Sequence, residues 1–303
     1  MRVAITGATG FVGGHLVSRL EKEDAACTVL TRSVARAREQ FPSAADLVHW
    51  DPPRVAPDRS KLEDLDAVIH LAGEPVAQRW TRAAKASIFD SRILSTETLV
   101  DTLAGLDSPP KTLVSSSAIG FYGPRNDSRL DEAAEGGQDF LADLCRKWEA
   151  AADEATGKGI RVVRTRVGII LGPDGGALSL MRTPFRLGAG GPIGNGRQWM
   201  SWVHIDDVVG LILHAIRTPS LEGPLNVTAP EPVRNKEFSK ALGRALHRPA
   251  VLPTPVFALK LAYGEFADIL ATGQRVIPAK AEASGYAFRF PELDPALRDA
   301  LER

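Results

Sequence analysis

The chain has 303 residues, is 44% hydrophobic, and carries 37 basic and 37 acidic residues, for a formal net charge of +0. This balance excludes an overall field that would recruit nucleic acid or an anionic membrane, and two cysteines cannot build a disulfide framework or a metal site. No apolar stretch approaches the ~20 residues of a membrane span, and the first glycines come too early for a signal peptide. We therefore expect a cytoplasmic protein with one large domain and a smaller appendage, without nucleic-acid, membrane or metal partners.

The first predicted element is a short apolar strand, Arg2–Thr6, which leads through a glycine-rich turn into a helix, Phe11–Lys22. The first glycine permits the sharp bend, the second lets the backbone approach phosphate oxygens, and the third lets the helix pack close to the strand. The helix directs its free N–H groups and the positive end of its dipole toward an anion. The pattern predicts a dinucleotide site formed by Gly7, Thr9, Gly10, Phe11, Val12 and Gly13.

The second predicted strand, residues 27–30, is followed by Thr31, Arg32 and Ser33. Folds that prefer NAD place a carboxylate here to bind the adenosine ribose, and this chain has none. Arg32 can stack on adenine and pair with a 2′-phosphate, and Ser33 and Arg36 can supply further donors. These residues favour NADP(H) over NAD(H), with a solvated loop position for Arg32 as the alternative.

Short apolar strands then continue to alternate with helical patterns. Further strands are predicted over residues 46–49, 67–71, 112–115 and 161–167, and further helices over residues 82–103, 140–155 and 205–217. Strands that are apolar on both faces lie between helix layers, so the pattern predicts an α/β fold with a Rossmann-type, doubly wound parallel sheet. Ligands of such sheets bind at the carboxyl ends of the strands.

After about Pro219 the pattern changes to short helices interrupted by prolines. We expect an NADP(H)-binding domain over residues 1–220 and a smaller C-terminal lobe over residues 221–303, on the substrate side of the sheet. The segment 170–202 is expected to contribute to the same side. Its glycine-rich run, residues 187–197, lacks the Gly-Lys-Ser/Thr ending of a phosphate-binding loop, which favours a flexible substrate-side loop.

A set of short motifs follows the same order along the chain. They are residues 7–13, His70-Leu71-Ala72-Gly73, Ser115-Ser116-Ser117, Phe121-Tyr122-Gly123, Arg166 with Gly172-Pro173, and residues 203–207. Together they resemble the extended short-chain dehydrogenase/reductases of the NAD(P)-dependent epimerase/dehydratase superfamily. The chain is most similar to an atypical branch, the "epimerase family" proteins, at residues 79–81, 91–93, 148–149, 175–178, 197–202, 264–265, 273–276 and 285–286.

The resemblance covers essentially the whole chain. It implies a cofactor site that also includes Leu71, Ala72, Gly73 and Ser115. Substrates of this branch are poorly defined, so the resemblance implies the fold and the cofactor class better than it implies a reaction.

The catalytic residues of the superfamily are a Ser, a Tyr and a Lys. The Tyr transfers a proton, the Lys lowers the pKa of the Tyr, and the Ser orients the carbonyl during hydride transfer. Ser117 matches the Ser, whereas the Tyr and Lys positions are occupied by Leu141 and Cys145. None of the three tyrosines of the chain falls on the predicted helix 140–155. The usual proton relay is therefore missing.

Other polar positions of the family are also replaced. Arg92 matches an Asn on the preceding long helix, Ile169 matches a substrate-side Asn, and Met200 matches an Arg of nucleotide-sugar members. These replacements disfavour the epimerisation of sugar nucleotides.

We propose Ser117, Tyr122 and Arg92 as candidate catalytic residues. Tyr122 follows the serine run, so it either lines the substrate pocket or moves the proton. Arg92 can hold an anionic substrate or polarise an oxygen, with a structural salt bridge as the alternative. His204 is expected to begin a helix between the two lobes, and Trp199 is expected to pack at the interface between them.

Two functions remain open. The first is an NADP(H)-dependent oxidoreductase or epimerase-like enzyme that acts on a small carbonyl or hydroxyl compound. The alternative is a non-catalytic, NADP(H)-sensing regulatory protein, because a lost catalytic pair is typical of a site that has been put to another use. A homodimer is compatible with either function.

Overall fold

The computed structural model describes residues 1–302. In chain order its strands are β1 (Arg2–Thr6), β2 (Ala26–Thr31), β3 (Asp46–His49), β4 (Ala67–His70), β5 (Thr112–Ala118), β6 (Arg129–Leu130), β7 (Arg161–Val167), β8 (Ile169–Gly172), β9 (Trp199–Met200), β10 (Trp202–His204), β11 (Gly223–Val227), β12 (Val233–Arg234) and β13 (Arg275–Val276). Its α-helices are α1 (Phe11–Lys22), α2 (Val34–Gln40), α3 (Arg82–Ala104), α4 (Phe140–Asp153), α5 (Gly176–Arg186), α6 (Ile205–Arg217), α7 (Asn235–Ala245), α8 (Val256–Tyr263), α9 (Phe266–Ala271), α10 (Ala279–Ala283) and α11 (Leu293–Glu302). Short 3₁₀ turns cover Arg59–Lys61, Ile119–Tyr122 and Glu154–Lys158.

The main sheet has seven parallel strands in the order β11-β7-β5-β4-β1-β2-β3. From β1 the chain builds outward to β2 and β3, and from β4 it builds outward on the other side. The change of direction falls between β1 and β4, where Thr6 pairs with His70. In open α/β sheets this change leaves a crevice at the carboxyl ends of the strands. The predicted Rossmann-type, doubly wound parallel sheet is confirmed.

The sheet is a buried layer between two layers of helices. Val3, Ala4 and Ile5 of β1 are fully buried, as expected for a strand covered on both faces. One face packs against α1 and α6, and the other packs against α3 through residues such as Leu99 and Leu103. The amphipathic and apolar patterns therefore predicted which segments would form this domain.

Some predicted bounds differ from those of the structure. Strand β5 continues past residue 115 because its pairing with β7 extends to Ala118 and Val167. Helix α2 was not predicted, because its seven residues carry too little apolar periodicity. Strand β11 lies beyond the predicted boundary at residue 220 and pairs with β7, so the sheet extends to Val227.

The C-terminal lobe packs on the carboxyl end of the sheet through its own apolar cluster, which includes Trp202, Phe238 and Leu297. A buried carboxylate in the first turn of α6 ties the end of the chain to this cluster. Asp207 accepts hydrogen bonds from the backbone N–H groups of Arg289 (2.8 Å) and Phe290 (2.9 Å). Among the described helices, none combines the length and the apolar character needed to span a bilayer.

Candidate functional site

The glycine turn after β1 is pressed against the loop that follows β4. Gly7 has a φ of +71°, and a Cβ at this position would lie 2.8–2.9 Å from backbone atoms of Leu71 and Ala72. A Cβ on Gly13 would lie 2.3 Å from the carbonyl oxygen of Gly7. These contacts explain why the turn requires glycine. They also place the predicted residues 71–73 beside the predicted turn, at the crevice of the sheet.

A buried hydrogen-bond network holds this loop in place. Thr6 Oγ1 accepts from the N–H groups of Leu71 (3.1 Å) and Ala72 (3.2 Å), so its own hydrogen points to His70 Nδ1 at 2.7 Å. His70 Nε2 therefore carries the ring proton and donates to Thr96 Oγ1 at 3.0 Å. Burial, together with a nearby guanidinium, lowers the pKa of His70 to about 3. The ring is thus a neutral structural link between β1, β4 and α3.

The side chain of Phe11 packs against the substrate-side loop. A Cβ on Gly172 or Gly175 would lie 2.6 Å from the Phe11 ring, and one on Gly176 would lie 3.2 Å from it. The ring of Phe11 therefore joins the glycine turn to the segment between β8 and α5. The sequence placed Phe11 at the cofactor through the turn alone and missed this contact, which the Gly-Gly pair at 175–176 could have suggested.

The predicted 2′-phosphate site lies at the end of β2. Ser33 caps α2 by accepting from the N–H of Arg36 at 3.4 Å, and its own N–H donates to Thr31 Oγ1 at 3.1 Å. The side chains of Arg32 and Arg36 are exposed. In the described part of the chain neither forms a salt bridge. Both guanidinium groups are available to an anion.

Ser117 belongs to a buried ionic network. Its hydroxyl donates to Glu149 Oε1 at 2.6 Å. Arg166 donates to both oxygens of the same carboxylate, from Nε and Nη2, at 2.8 Å each, and Arg164 adds a contact at 3.3 Å. The hydrogen of Ser117 is committed to Glu149, so its oxygen can accept a hydrogen bond from a ligand but cannot also donate one.

Tyr122 lies elsewhere than the sequence predicted. Its side chain is fully buried, its hydroxyl donates to Asn226 Oδ1 at 2.7 Å, and it accepts from Arg166 Nη1 at 3.0 Å. Neither pocket lining nor proton transfer is compatible with this position. The physical reason is that the 3₁₀ turn after β5 directs the ring into an apolar cluster with Leu130 and Val276 instead of toward the crevice.

Helix α4 presents an apolar face where the Tyr and Lys of the family are expected. Leu141 packs on the backbone of Gly120, where a Cβ would lie 3.2 Å from the Cβ of Leu141. Cys145 is buried, and desolvation raises its thiol pKa to about 12, so the group is a neutral thiol. On the outer face of the helix, Lys147 pairs with Asp143 at 3.0 Å.

Arg92 lies between the loop after β4 and this apolar face. Its Nη1 donates to the carbonyl oxygens of Glu74 (2.9 Å) and Ile88 (3.1 Å), and its Cζ lies 5.1 Å from the centre of the Trp148 ring. A Cβ on Gly73 would lie 3.1 Å from the same Cζ. The alternative of a salt bridge does not hold for the described residues, since no carboxylate lies within 4.0 Å of this guanidinium.

Burial lowers the pKa of Arg92 from its ordinary value, while Cys145 and Glu74 act in the opposite direction. An arginine nevertheless stays protonated in a protein. The structure therefore brings one positive charge next to both the predicted cofactor loop and the Trp148 ring of α4.

His204 has the structural position that the sequence predicted. It is the N-cap of α6, its Nδ1 accepts from the N–H of Asp206 at 3.2 Å, and its Nε2 lies 3.1 Å from Asp299 Oδ2. His204, Asp206 and Asp299 offer ligand atoms within 4.8 Å of one another. Both ring nitrogens contact protein groups.

Comparisons with known proteins agree with this geometry. The family model described as "NAD dependent epimerase/dehydratase family" matches residues 3–227, and a "domain of unknown function (DUF1731)" matches residues 254–300. The chain is 42% identical to "Epimerase family protein SDR39U1 homolog, chloroplastic" of Arabidopsis thaliana, covering 100% of this chain and 87% of the relative. It is 43% identical to "Epimerase family protein Mb2239" of Mycobacterium bovis, over 99% and 98% of the two chains.

A solved structure is also similar along the full chain. The human epimerase family protein SDR39U1, crystallised with NADPH, superimposes with a TM-score of 0.90 at 36% identity, and covers 100% of this chain and 99% of its own. The resemblance that the sequence motifs indicated is confirmed. The glycine turn, the buried network around Glu149, the parallel sheet and these matches lead to one conclusion: the chain belongs to the NAD dependent epimerase/dehydratase family.

Proposed function

We propose that this protein binds NADP(H) at the crevice between β1 and β4. The turn fits a dinucleotide because Gly10, at the start of α1, has no Cβ between its backbone and an approaching phosphate, and a Cβ there would also lie at a tight 3.2 Å from the Gly7 carbonyl oxygen. Arg32 and Arg36 supply two exposed cations for a 2′-phosphate. The NADPH bound to the human relative supports the same choice.

We further propose that the protein is an oxidoreductase or epimerase-like enzyme that acts on a small carbonyl or hydroxyl compound. The observation that carries this proposal is the position of Arg92, whose guanidinium lies against Gly73 and over the ring of Trp148 on α4. The family places a lysine ammonium at position 145, and here the charge comes from α3 instead of α4. We infer that Arg92 replaces the positive charge that the lysine supplies in the family.

When bound, NADP(H) would supply or accept the hydride. In the reducing direction Arg92 stabilises the negative charge that develops on the substrate oxygen as its carbon accepts the hydride. Because Leu141 is apolar and the hydroxyl of Tyr122 is buried, the proton that completes the alcohol comes from water. Ser117 accepts a hydrogen bond from the substrate hydroxyl, and Glu149 holds the Ser117 hydroxyl in that orientation.

The experiment has two readouts. NADPH and NADH are titrated against the protein by nicotinamide fluorescence, and oxidation of NADPH is then followed with a panel of small aldehydes and ketones. Arg92→Lys should retain part of the turnover, and Arg92→Leu should abolish it while NADPH still binds. Arg54→Leu, an exposed arginine, is the matched control. Turnover by Arg92→Leu at the rate of the unmodified protein would refute the assigned role of Arg92.

A specific observation also favours the alternative of an NADP(H) sensor. Leu141 and Cys145 remove the proton relay, and the hydrogen of Ser117 is committed to Glu149. A sensor must distinguish the two redox states of the cofactor. Hydrogen–deuterium exchange of the complexes with NADP⁺ and NADPH should then differ in the C-terminal lobe, and identical exchange in both complexes removes this alternative.

A further inference from the structure

A continuous chain of buried hydrogen bonds leads from the candidate substrate side of the sheet to the C-terminal lobe. In order, it joins the side chains of Ser117, Glu149, Arg166, Tyr122 and Asn226. These side chains come from five different elements, and none of the five residues is more than 3% exposed. A buried network of this kind, when its hydrogen bonds are made, is rigid and holds its members in one arrangement.

Asn226 connects this chain of hydrogen bonds to the C-terminal lobe. Its Nδ2 donates to the carbonyl oxygen of Ile277 at 2.9 Å, just after β13. Its backbone N–H donates to Glu132 Oε1 at 3.0 Å, and the same carboxylate accepts from the backbone N–H of Lys280 at 3.3 Å. Two separate contacts therefore hold the segment 277–280 against β11, and a displacement of this segment would break contacts of Asn226.

Tyr122 is the link between the two ends of the chain. Its hydroxyl has one hydrogen, which it donates to Asn226 Oδ1, so this contact fixes the direction of the lone pair that accepts from Arg166 Nη1. One face of the guanidinium is also covered, because Arg166 Cζ lies 3.4 Å from the centre of the Phe121 ring. The guanidinium is thus held at an edge and on a face, and a rotation would break its two-fold contact with Glu149.

We propose that Tyr122 is a positioning residue for the reaction put forward above. Through Arg166 and Glu149 it sets the direction of the Ser117 hydroxyl, and on its other side it makes that direction depend on the docked segment 277–280. This role rests on the proposed function, in which Ser117 contacts the substrate. A phenylalanine could not take the place of Tyr122, since the chain needs a hydroxyl that both donates and accepts.

The kinetics of the full chain with NADPH and the best carbonyl compound of the panel test this role. Tyr122→Phe keeps the ring that packs with Leu130 and Val276 and removes only the hydroxyl. We expect kcat to fall by about tenfold, because Ser117 loses its fixed orientation, while the affinity for NADPH stays unchanged. The pH dependence of kcat should keep its shape, since the Tyr122 hydroxyl transfers no proton.

The chain offers a matched control and a second way to break the same link. Tyr286→Phe also removes a hydroxyl that donates to a buried carboxylate, that of Asp207 at 3.1 Å, but outside this chain of hydrogen bonds, so kcat should be retained. Asn226→Ala breaks the chain on the far side of Tyr122 and should lower kcat by a similar factor. Tyr122→Phe/Asn226→Ala should lower it no further, because the two changes interrupt one chain.

Three kinetic results would overturn the positioning role of Tyr122. They are an unchanged kcat in Tyr122→Phe, an equal loss in Tyr286→Phe, and a pH profile that loses one limb in Tyr122→Phe, which would indicate proton transfer by the hydroxyl. Thermal unfolding of each variant checks that it folds.

Urea unfolding separates a failure of this role from a failure of the proposed function. If no carbonyl compound is reduced, the proposed function fails, and the coupling between Ser117 and Tyr122 is still measurable. The unfolding equilibrium constant of Ser117→Ala/Tyr122→Phe should differ by at least about threefold from the product of the two single effects, as expected within one hydrogen-bond network. In Ser117→Ala/Tyr286→Phe the single effects should simply multiply. Independent effects in the first pair would refute the coupling.

Discussion

At the carboxyl end of β1 the backbone of Gly7 and Gly13 leaves no room for a side chain, whereas across the same edge α4 carries Leu141 and Cys145 in place of a polar pair. The two regions respond differently to substitution. A close backbone approach excludes every residue except glycine, so the cofactor turn keeps its pattern. A side-chain charge, in contrast, can be supplied from a neighbouring helix. The face of α4 can therefore lose its polar residues while a positive charge from α3 remains nearby.

The sharpest way to test this comparison is to return the charge to α4. Cys145→Lys places an ammonium in a buried position beside Arg92, and we expect it to lower the free energy of unfolding by about 3 kcal/mol. Arg92→Asn alone should cost about 1–2 kcal/mol through its lost contacts. In urea unfolding, the double variant should lose at least about 1 kcal/mol less than the summed losses of the two single variants. If the losses of the two single variants simply add in the double variant, the charges at positions 92 and 145 do not interact.

A comparable loss is expected when the buried carboxylate of α4 is neutralised. Glu149→Gln removes the partner of Arg166 and should lower the free energy of unfolding by about 3 kcal/mol, because an uncompensated charge stays buried. Lys147→Ala breaks an exposed pair on the same helix and should cost less than about 0.5 kcal/mol. Denaturant unfolding of both variants checks the difference. A mild effect of Glu149→Gln would mean that water reaches Arg166.

On the cofactor side, adjacent glycines of α1 should behave in opposite ways. Gly13→Ala brings a Cβ to 2.3 Å from the Gly7 carbonyl, so we expect NADPH affinity to fall by about a hundredfold or more, with a loss of stability of about 2 kcal/mol. Gly14→Ala brings a Cβ to 3.5 Å from the end of the Gln40 side chain and to 3.9 Å from the Ala8 carbonyl oxygen, both ordinary contacts, and should stabilise the helix by about 0.5–1 kcal/mol. Fluorescence titration and thermal unfolding distinguish them. Equal effects at both positions would argue against the close approach.

The last comparison concerns pH. The pKa of His70 is lowered to about 3 in the folded protein, from an ordinary value of about 6.5. Below about pH 6.5 the unfolded chain therefore binds a proton that the folded chain does not, and stability falls as pH falls, by up to about 1.4 kcal/mol per pH unit. His70→Asn should reduce this slope between about pH 6 and pH 4. His247→Asn, at an exposed position with a φ of +54° that Asn tolerates, should leave it unchanged.

Several parts of the fold could be predicted because their causes are local. The bounds of α1 and α6 agree with the sequence prediction, since the apolar spacing and the flanking residues mark both ends. The absent Tyr and Lys were also visible from the sequence, because a residue that is missing from a motif needs no coordinates to be noticed. The strand β11 escaped prediction because three of its five residues, Gly223, Pro224 and Asn226, are of types depleted in strands, and its pairing with β7 overrides that local preference.

In the candidate site, too, some features have local causes and others depend on tertiary contacts. The sequence by itself determined the glycine turn, the missing carboxylate after β2 and the family, since each rests on a residue type that the local backbone or a ligand requires. Only the tertiary structure decided that Tyr122 is bound to Asn226, that Ser117 is bound to Glu149, and that Arg92 lies between Gly73 and the Trp148 ring. These contacts join residues far apart in the chain, and the direction of a side chain depends on neighbours that only the packed fold brings together.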